Sequence, residues 1–186
     1  ELSRAEKECD LNEIRSELTR PADWKVLVAD AGAAVIKEYA GRGQAIRAVW
    51  DGRDSFGAVA PEGKYRLLIT AIDLEYATQA RSVVRETVLD ISPPVLSIQI
   101  PVDGGEVQGY QNVIGNVEDA LLSSYRLSIG SGANPAAFQE VGSGKRPISQ
   151  GSLGLLDTHA MDNCLYTLEL SGNDLAENSS SIRSTF

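Results

Sequence analysis

Short runs in which apolar and polar residues alternate recur along the chain, separated by glycine, proline and aspartate. Every second side chain is apolar from Tyr65 to Ala71, from Leu96 to Ile100, from Tyr125 to Ile129 and from Tyr166 to Leu170. A period of two predicts β-strands that bury one face. No long run has the spacing of an amphipathic helix. We therefore predict an all-β protein.

The first half predicts about six or seven short strands, with turns marked by residue type. Asp30–Ala33 is typical of a hairpin turn, whereas Arg20–Pro21 and Gly41–Gln44 are expected to end strands. Residues 1–10 are expected to be an N-terminal extension. This density of strands and turns is typical of an antiparallel β-sandwich. The predicted strands are Leu11–Leu18, Trp24–Ala29, Ala34–Tyr39, Ala45–Trp50, Tyr65–Ala71 and Thr78–Val88.

Paired prolines, Pro93 and Pro94, divide the chain. Prolines stiffen a connection and stop strand pairing from running through it. We therefore predict two domains, 1–91 and 92–186, each a β-sandwich. In the second half, Gly130–Pro135 and Gly142–Gln150 are predicted to be loops. Its predicted strands are Leu96–Ile100, Glu106–Val117, Tyr125–Ile129, Leu153–Asp157, Tyr166–Leu170 and Ile182–Phe186.

A weak internal repeat links the two halves. Tyr65 and Asp73 have counterparts in Tyr166 and Asp174, both 101 positions later, with apolar residues at matching places between them. Upstream, Trp50-Asp51-Gly52 has only a degenerate counterpart in Leu156-Asp157-Thr158. The repeat therefore predicts two related sandwiches, the second with a shorter hairpin. A motif that survives such trimming is better explained as a structural corner than as a reactive site.

Composition narrows the possible partners. The net charge of −9 disfavours nucleic acid and anionic membranes, which basic surfaces bind. No run approaches the ~18 apolar residues of a membrane span. Two cysteines, Cys9 and Cys164, are too few for a small disulfide framework, so we expect free thiols, with a bridge between the halves as the alternative. The chain begins at Glu1 rather than Met, so we expect it to be part of a longer protein.

We find no convincing catalytic centre in the sequence. Asp51 and Asp54 share one tight loop, where carboxylates usually close turns, whereas catalytic pairs face each other from separate elements. His159 is the single histidine, and Cys164 is expected to be a small core residue. Gly130–Gly132 and Gly142–Lys145 lack the full spacing of a phosphate-binding loop. We therefore expect no catalytic residue, metal or cofactor.

Calcium is kept as an alternative, because repeated sandwiches often bind it through carboxylates at strand ends. The sequence lacks a spaced Asp-x-Asp-x-Asp loop, which favours ordinary turn acids instead. The candidates at predicted strand ends or near the domain boundary are Asp73, Asp90, Asp103, Asp119, Asp174 and Asn178.

The aromatic residues allow either core packing or a platform for stacking sugars, and their predicted inward positions favour the core. Tyr65 and Tyr166 are candidates for a tyrosine corner, in which the hydroxyl bonds to upstream backbone. The set comprises Trp24, Trp50, Tyr39, Tyr65, Tyr125 and Tyr166.

The first half resembles the Ig-like domain of bacterial flagellar hook-capping proteins, which also recurs in other secreted bacterial proteins. The resemblance lies in Trp50–Asp54, Gly57 and Pro61–Tyr65, with support from Pro21–Val26 and Ala29–Gly32. It covers roughly Leu11 to Ile91.

The second half is similar to bacterial Ig-like repeats of adhesins, large surface proteins and toxins carrying Rhs repeats. The residues that carry this likeness are Pro93–Val95, Pro101–Gly105, Val107–Gly109 and the segment from Tyr166 to Asn178. The second half departs from the pattern at Leu156, where the first half has Trp50. The resemblance implies two tandem Ig-like domains of an exported protein and no catalytic residues.

The sequence therefore predicts a non-catalytic structural spacer in a secreted or cell-surface bacterial protein, whose partners are neighbouring domains of the same chain. One alternative is an adhesin-like module that binds a protein or glycan through the loops Gly130–Gln139 and Gly142–Gln150. The other is an accessory domain of a secreted hydrolase or Rhs-type toxin. We expect neither nucleic acid nor a membrane as partner.

Overall fold

The computed structural model describes residues 13–186, which form twelve antiparallel β-strands, so the all-β prediction is confirmed. Among these residues no helix is long and apolar enough to cross a membrane. The predicted extension 1–10 and the start of the strand predicted at Leu11 lie outside the described residues. The strands are β1 (Glu13–Ala29), β2 (Val35–Val49), β3 (Gly63–Asp73), β4 (Gln79–Arg81), β5 (Arg85–Leu89), β6 (Val95–Ile100), β7 (Tyr110–Glu118), β8 (Leu122–Ser131), β9 (Gln139–Gly144), β10 (Ile148–Asp157), β11 (Tyr166–Asp174) and β12 (Ser179–Thr185).

The chain divides into two compact units. Unit 1 ends at Asp90, and unit 2 comprises Ile91–Phe186. The sequence predicts two domains, 1–91 and 92–186, each of which folds independently. Independent folding stays a prediction.

Unit 1 is built on one sheet in the order β2-β1-β3-β4, with β5 also paired to β3. The hairpin between β1 and β2 turns at Asp30, as the sequence predicts. The Asp30 carboxylate accepts a hydrogen bond from the amide of Ala34 at 2.9 Å. Ala33 takes the left-handed backbone conformation, with φ of 68°, that this tight turn requires.

The β1–β2 hairpin folds back on itself. The Tyr39 hydroxyl donates to the Val49 carbonyl at 2.7 Å, although both residues belong to β2. Ten residues of straight strand would hold them about 33 Å apart, so β2 must bend between them. The pairing of β1 with β2 is interrupted between Glu17 and Ala22, which places the bend in that region.

Two predicted strand breaks are therefore wrong, because the strands continue through them. Pro21 lies inside β1, and Gly41 and Gly43 lie inside β2. A Cβ atom at Gly41 would lie 2.3 Å from the Trp24 ring, so glycine is needed for this close approach. These residues shape the bend and do not end the strands.

The bend lets one sheet supply two facing layers. Val26 lies between the bend and the hairpin turn, whereas Ile46 lies on the other side of the bend. Both belong to one buried cluster and are almost fully inaccessible to solvent. A second cluster contains Val28, Trp50, Ala60 and Tyr65. The rings of Trp50 and Tyr65 pack 4.8 Å apart at 60°.

Unit 2 contains two sheets, ordered β10-β7-β6 and β12-β11-β8-β9. The predicted loop Gly142–Gln150 is wrong, since β9 and β10 occupy most of it. A Cβ atom at Gly142 would lie 2.1 Å from the Leu153 carbonyl oxygen, so glycine allows β9 and β10 to approach closely. The core between the sheets consists of Val113, Val117, Leu122, Tyr125, Leu127, Leu153, Leu156, Leu168 and Leu170.

The first and last strands of unit 2 run in the same direction. Near the start of both strands, the Ser180 hydroxyl donates to the Pro94 carbonyl at 2.5 Å. Beyond the end of β6, the Asp103 carboxylate accepts the Thr185 amide at 2.7 Å, and the Gly104 amide donates to the Thr185 carbonyl at 2.8 Å. The chain therefore enters unit 2 at one end and leaves it at the other.

The internal repeat has a structural counterpart. Strands β3 and β11 both end in an aspartate, Asp73 and Asp174, whose carboxylate accepts two amides of the following turn. The tyrosine corner is confirmed for Tyr65, whose hydroxyl donates to the Pro61 carbonyl at 2.5 Å. The Tyr166 hydroxyl contacts the backbone of Asp162, again four residues upstream.

Candidate functional site

The loop that follows Trp50 is closed by its own acidic residues. The Asp51 carboxylate accepts the Arg53 amide at 3.1 Å, and the Asp54 carboxylate accepts the amides of Phe56 and Ala58, both at 2.9 Å. These bonds are the turn-closing role that the sequence predicts. Carboxylates that accept neighbouring backbone amides in this way stabilise the turn, so the geometry favours a structural role for both residues.

The same loop presents an aromatic side chain that the sequence analysis missed. Phe56 is 96% exposed at its tip. The loop is held against β2, because the Lys37 ammonium donates to the Asp54 carbonyl at 2.8 Å and the Ser55 amide donates to the Ile36 carbonyl at 2.9 Å. A phenylalanine in a polar loop carries no sequence signal that distinguishes an exposed ring from a buried one.

His159 lies on the surface of unit 2 beside an acidic residue. Its Nδ1 atom is 2.7 Å from the Asp157 carboxylate, and its ring packs 4.9 Å from that of Tyr110. The hydrogen bond from His159 lowers the pKa of the Asp157 carboxyl. Within residues 13–186 no serine, threonine or cysteine side chain forms a hydrogen bond with His159.

The prediction that Cys164 is a core residue is wrong. Cys164 is free and exposed, because it precedes the buried part of β11 and does not belong to it. Its sulfur lies 3.8 Å from the Ser131 hydroxyl. The hydrogen bond with Cys164 raises the pKa of Tyr166, and desolvation adds to this effect. Cys9 lies outside the described residues.

Most of the calcium candidates have a structural role. The carboxylate of Asp73 accepts the amides of Glu75 and Tyr76, and that of Asp103 binds β12. These hydrogen bonds lower the pKa of both carboxyls. Asp90 is half-buried at the end of unit 1.

Asp119 and Asp174 are the candidates that come together in unit 2. Their carboxylate oxygens lie within 4.8 Å of one another. Asp119 already accepts the Leu121 amide at 2.6 Å, and buried Asp174 accepts the backbone amide and the side-chain amide of Asn178, both at 2.8 Å. Calcium binding here stays a hypothesis. An unchanged melting temperature on calcium titration would remove it.

Four of the six aromatic candidates are buried, which confirms core packing for them and removes them from a sugar platform. They are Trp24, Trp50, Tyr65 and Tyr125.

A polar groove lies on the outer face of the four-stranded sheet of unit 2, with a volume of about 550 Å³. Strand register places Arg126 between Ser143 and Ser171 in one row across three strands. Ser124 pairs with Asn173 in the next outward-facing row. Lys145 follows β9 at the same end and also lines the groove.

The groove carries a local excess of positive charge. Arg126 forms an ion pair with Glu140 at 3.0 Å, and the Ser143 hydroxyl donates to Glu140 at 2.7 Å. Within the described chain Lys145 has no carboxylate within 4.0 Å. The lining thus holds two cations and one anion, although the whole protein has a net charge of −9.

Tyr125 lies beneath the groove. It is 8% exposed, and burial raises its pKa. Gly144 covers the ring so closely that a Cβ atom there would lie 2.6 Å from it. Within residues 13–186 the Tyr125 hydroxyl has no hydrogen-bond partner, yet it is not sealed from solvent.

Comparisons with known proteins give little further information. No family model matches the chain. No curated protein matches it. One solved structure, described as the tetra-tandem repeat in the extending region of a large adhesion protein, is similar over 96% of this chain, with 14% identity and a TM-score of 0.38. The chain spans 46% of the length of that structure, and a likeness this weak carries no argument about function.

Proposed function

We propose that this chain is a non-catalytic structural module of a larger exported protein, in which unit 2 holds neighbouring domains apart. The observation that carries this proposal is the common direction of β6 and β12. A spacer must receive the chain at one end and release it at the other. Ser180 and Thr185, which mark the two ends of this contact, are about 17 Å apart along β12.

The same geometry resists tension. A force that separates the ends of unit 2 pulls β6 and β12 in opposite directions along their common axis. The bonds at Ser180, Asp103 and Gly104 are then loaded together instead of being opened one by one.

Unit 1 has a different chain path. Its first described residue, Glu13, pairs with Val49, next to the loop that contains Gly52. The Leu89 side chain, at the end of the last strand, lies against Gly52, where a Cβ atom would be only 3.0 Å away. The described start and end of unit 1 are therefore on the same side, so the load-bearing argument applies to unit 2.

The acidic residues support a non-catalytic role. Five aspartate side chains accept hydrogen bonds from backbone amides: Asp51, Asp54, Asp73, Asp103 and Asp174. Such carboxylates stabilise turns and strand ends. Export and an Ig-like classification rest on the sequence resemblance and form part of this proposal. Labelling of intact producing cells with an antibody against this chain tests export, and labelling only after lysis would contradict it.

Single-molecule stretching of the full chain tests the spacer role. We expect a discrete unfolding event of unit 2, whose force falls in the Ser180→Ala and Asp103→Ala variants. Ser152→Ala, at an exposed position of β10, is the matched control and should leave the force unchanged. Opening of unit 2 at no resolvable force, or equal forces for all three variants and the parent, would overturn the proposal.

A further inference from the structure

We propose that the groove on the four-stranded sheet of unit 2 binds an acidic saccharide, a sugar bearing a single carboxylate. This inference is independent of the spacer proposal, since a spacer needs no ligand. It rests on the shape of the groove, the chemistry of its lining and its unbalanced positive charge.

The dimensions fit a sugar ring. Three adjacent strands, β9, β8 and β11, span about 10 Å, and two successive outward-facing rows lie about 7 Å apart along them. This floor matches the footprint of one hexose. The volume of about 550 Å³ leaves space for a second ring and lies within the usual range of small-molecule sites.

The lining offers the hydrogen-bonding groups that a polyhydroxylated ligand requires. Ser124 and Asn173 have no side-chain hydrogen bond to the described chain, so both can donate to and accept from a sugar hydroxyl. The Arg126–Glu140 pair places a hydrogen-bond donor beside an acceptor. A protein partner would instead require exposed apolar or aromatic anchors, and the groove presents none beyond the hydroxyl edge of Tyr125.

The charge selects a monoanion. Lys145 is the cation of the lining that has no carboxylate within 4.0 Å in the described chain, so it can pair with one ligand carboxylate. Glu140 is close to Arg126 and repels a more highly charged group such as a phosphate. It can still accept a hydrogen bond from a neutral sugar hydroxyl.

The test is a nuclear magnetic resonance titration of the full chain with a glucuronate-containing disaccharide. The open groove predicts a dissociation constant on the order of 1 mM. We expect saturable shifts in the amide signals of Ser124, Arg126, Ser143, Lys145 and Asn173. The matched neutral glucose disaccharide should bind about twofold to fivefold more weakly, which corresponds to the loss of one ion pair at a partly exposed site.

Variants separate the contributions of charge and hydrogen bonding. Lys145→Gln should weaken binding of the acidic disaccharide to the level of the neutral one, whereas Asn173→Ala should weaken both sugars. Lys64→Gln, an exposed lysine in unit 1, makes the same charge change and should have no effect. Melting curves of each variant verify that the fold is retained.

Three results would overturn the proposal. The first is the absence of saturable shifts in the groove at sugar concentrations well above the expected dissociation constant. The second is equal binding of acetate or inorganic phosphate at the same residues, which would show a simple anion site. The third is unchanged affinity in a folded Lys145→Gln variant. None of these results affects the stretching experiment, so the two proposals can fail separately.

Discussion

The hydroxyl of Tyr65 provides a sharp test of how unit 1 is stabilised. Tyr65→Phe removes one hydrogen bond, the 2.5 Å contact to the Pro61 carbonyl, and leaves the ring in place against Trp50. Burial and the charge of Asp30 raise the pKa of Tyr65, so its phenol is a proton donor at neutral pH. The substitution therefore isolates a single interaction.

The expected cost follows from the surroundings of the bond. A net intramolecular hydrogen bond contributes about 0.5–1.5 kcal/mol. Pro61 is exposed, so water can solvate its carbonyl after the change, and the larger cost of a buried unsatisfied acceptor does not apply. We expect a loss of about 1 kcal/mol in the free energy of unfolding. For a unit of this size the melting temperature should fall by about 4–8 °C.

Tryptophan fluorescence reports unit 1 alone, because the two tryptophans of the chain, Trp24 and Trp50, both lie in it. Urea unfolding followed at this signal gives the change in free energy. Tyr125→Phe is the matched control, since that ring is also buried but its hydroxyl has no partner in the described chain. Calorimetry should show almost no change for this control.

A loss below about 0.3 kcal/mol for Tyr65→Phe, or a loss equal to that of the Tyr125 control, would refute the reasoning. Either result would mean that the hydrogen bond of the tyrosine corner forms in the folded state but does not contribute measurably to the stability of unit 1.

Two further predictions concern the core and the pH dependence. Trp50→Ala should destabilise unit 1 by about 3–5 kcal/mol, as expected for a buried aromatic residue, and the fluorescence of Trp24 should follow its unfolding; a variant that is as stable as the parent would contradict the assigned core. Hydrogen bonds from Thr185 lower the pKa of the Asp103 carboxyl in the folded state, so its stabilisation is present above its unfolded pKa, near 3.9, and is lost as the pH falls through the lower folded value. Calorimetry from pH 7 to pH 2 should therefore show a weaker acid destabilisation in Asp103→Asn, and no such change in the exposed control Glu106→Gln. An unaltered pH profile in Asp103→Asn would contradict this assignment.

Local patterns in the sequence predict the strands well, because alternation depends on which face of a strand is buried. They fail at the bend of the β1–β2 hairpin. Pro21 and Gly41 usually end strands, and the sequence contains no signal that here they lie within continuous strands. The need for glycine at position 41 comes from the Trp24 ring, 17 residues earlier, and this tertiary contact is invisible to a local pattern.

The groove could not be predicted from the sequence for a similar reason. Its lining residues come from three strands and appear in the sequence as ordinary solvent-facing positions; they include Ser124, Arg126, Ser143 and Asn173. Only the register of the sheet brings them into adjacent rows. The predicted binding segment Gly142–Gln150 includes three residues of the lining, Ser143, Gly144 and Lys145. The sequence predicts a flexible loop there, whereas β9 and β10 together occupy most of the segment.

The position of β12 has a consequence for the order in which unit 2 can be completed. β11 pairs with β8 on one side, but its other edge stays open until Ser179–Thr185 arrives. Asp103 lies near the start of the unit, and its hydrogen-bond partners within the described chain are Ser184 and Thr185. During synthesis or passage through a channel, N-terminus first, these contacts cannot form before the last residues of the unit emerge. In the proposed spacer, the strand that bears load therefore also delays the completion of the fold, because unit 2 cannot close before its last strand is present.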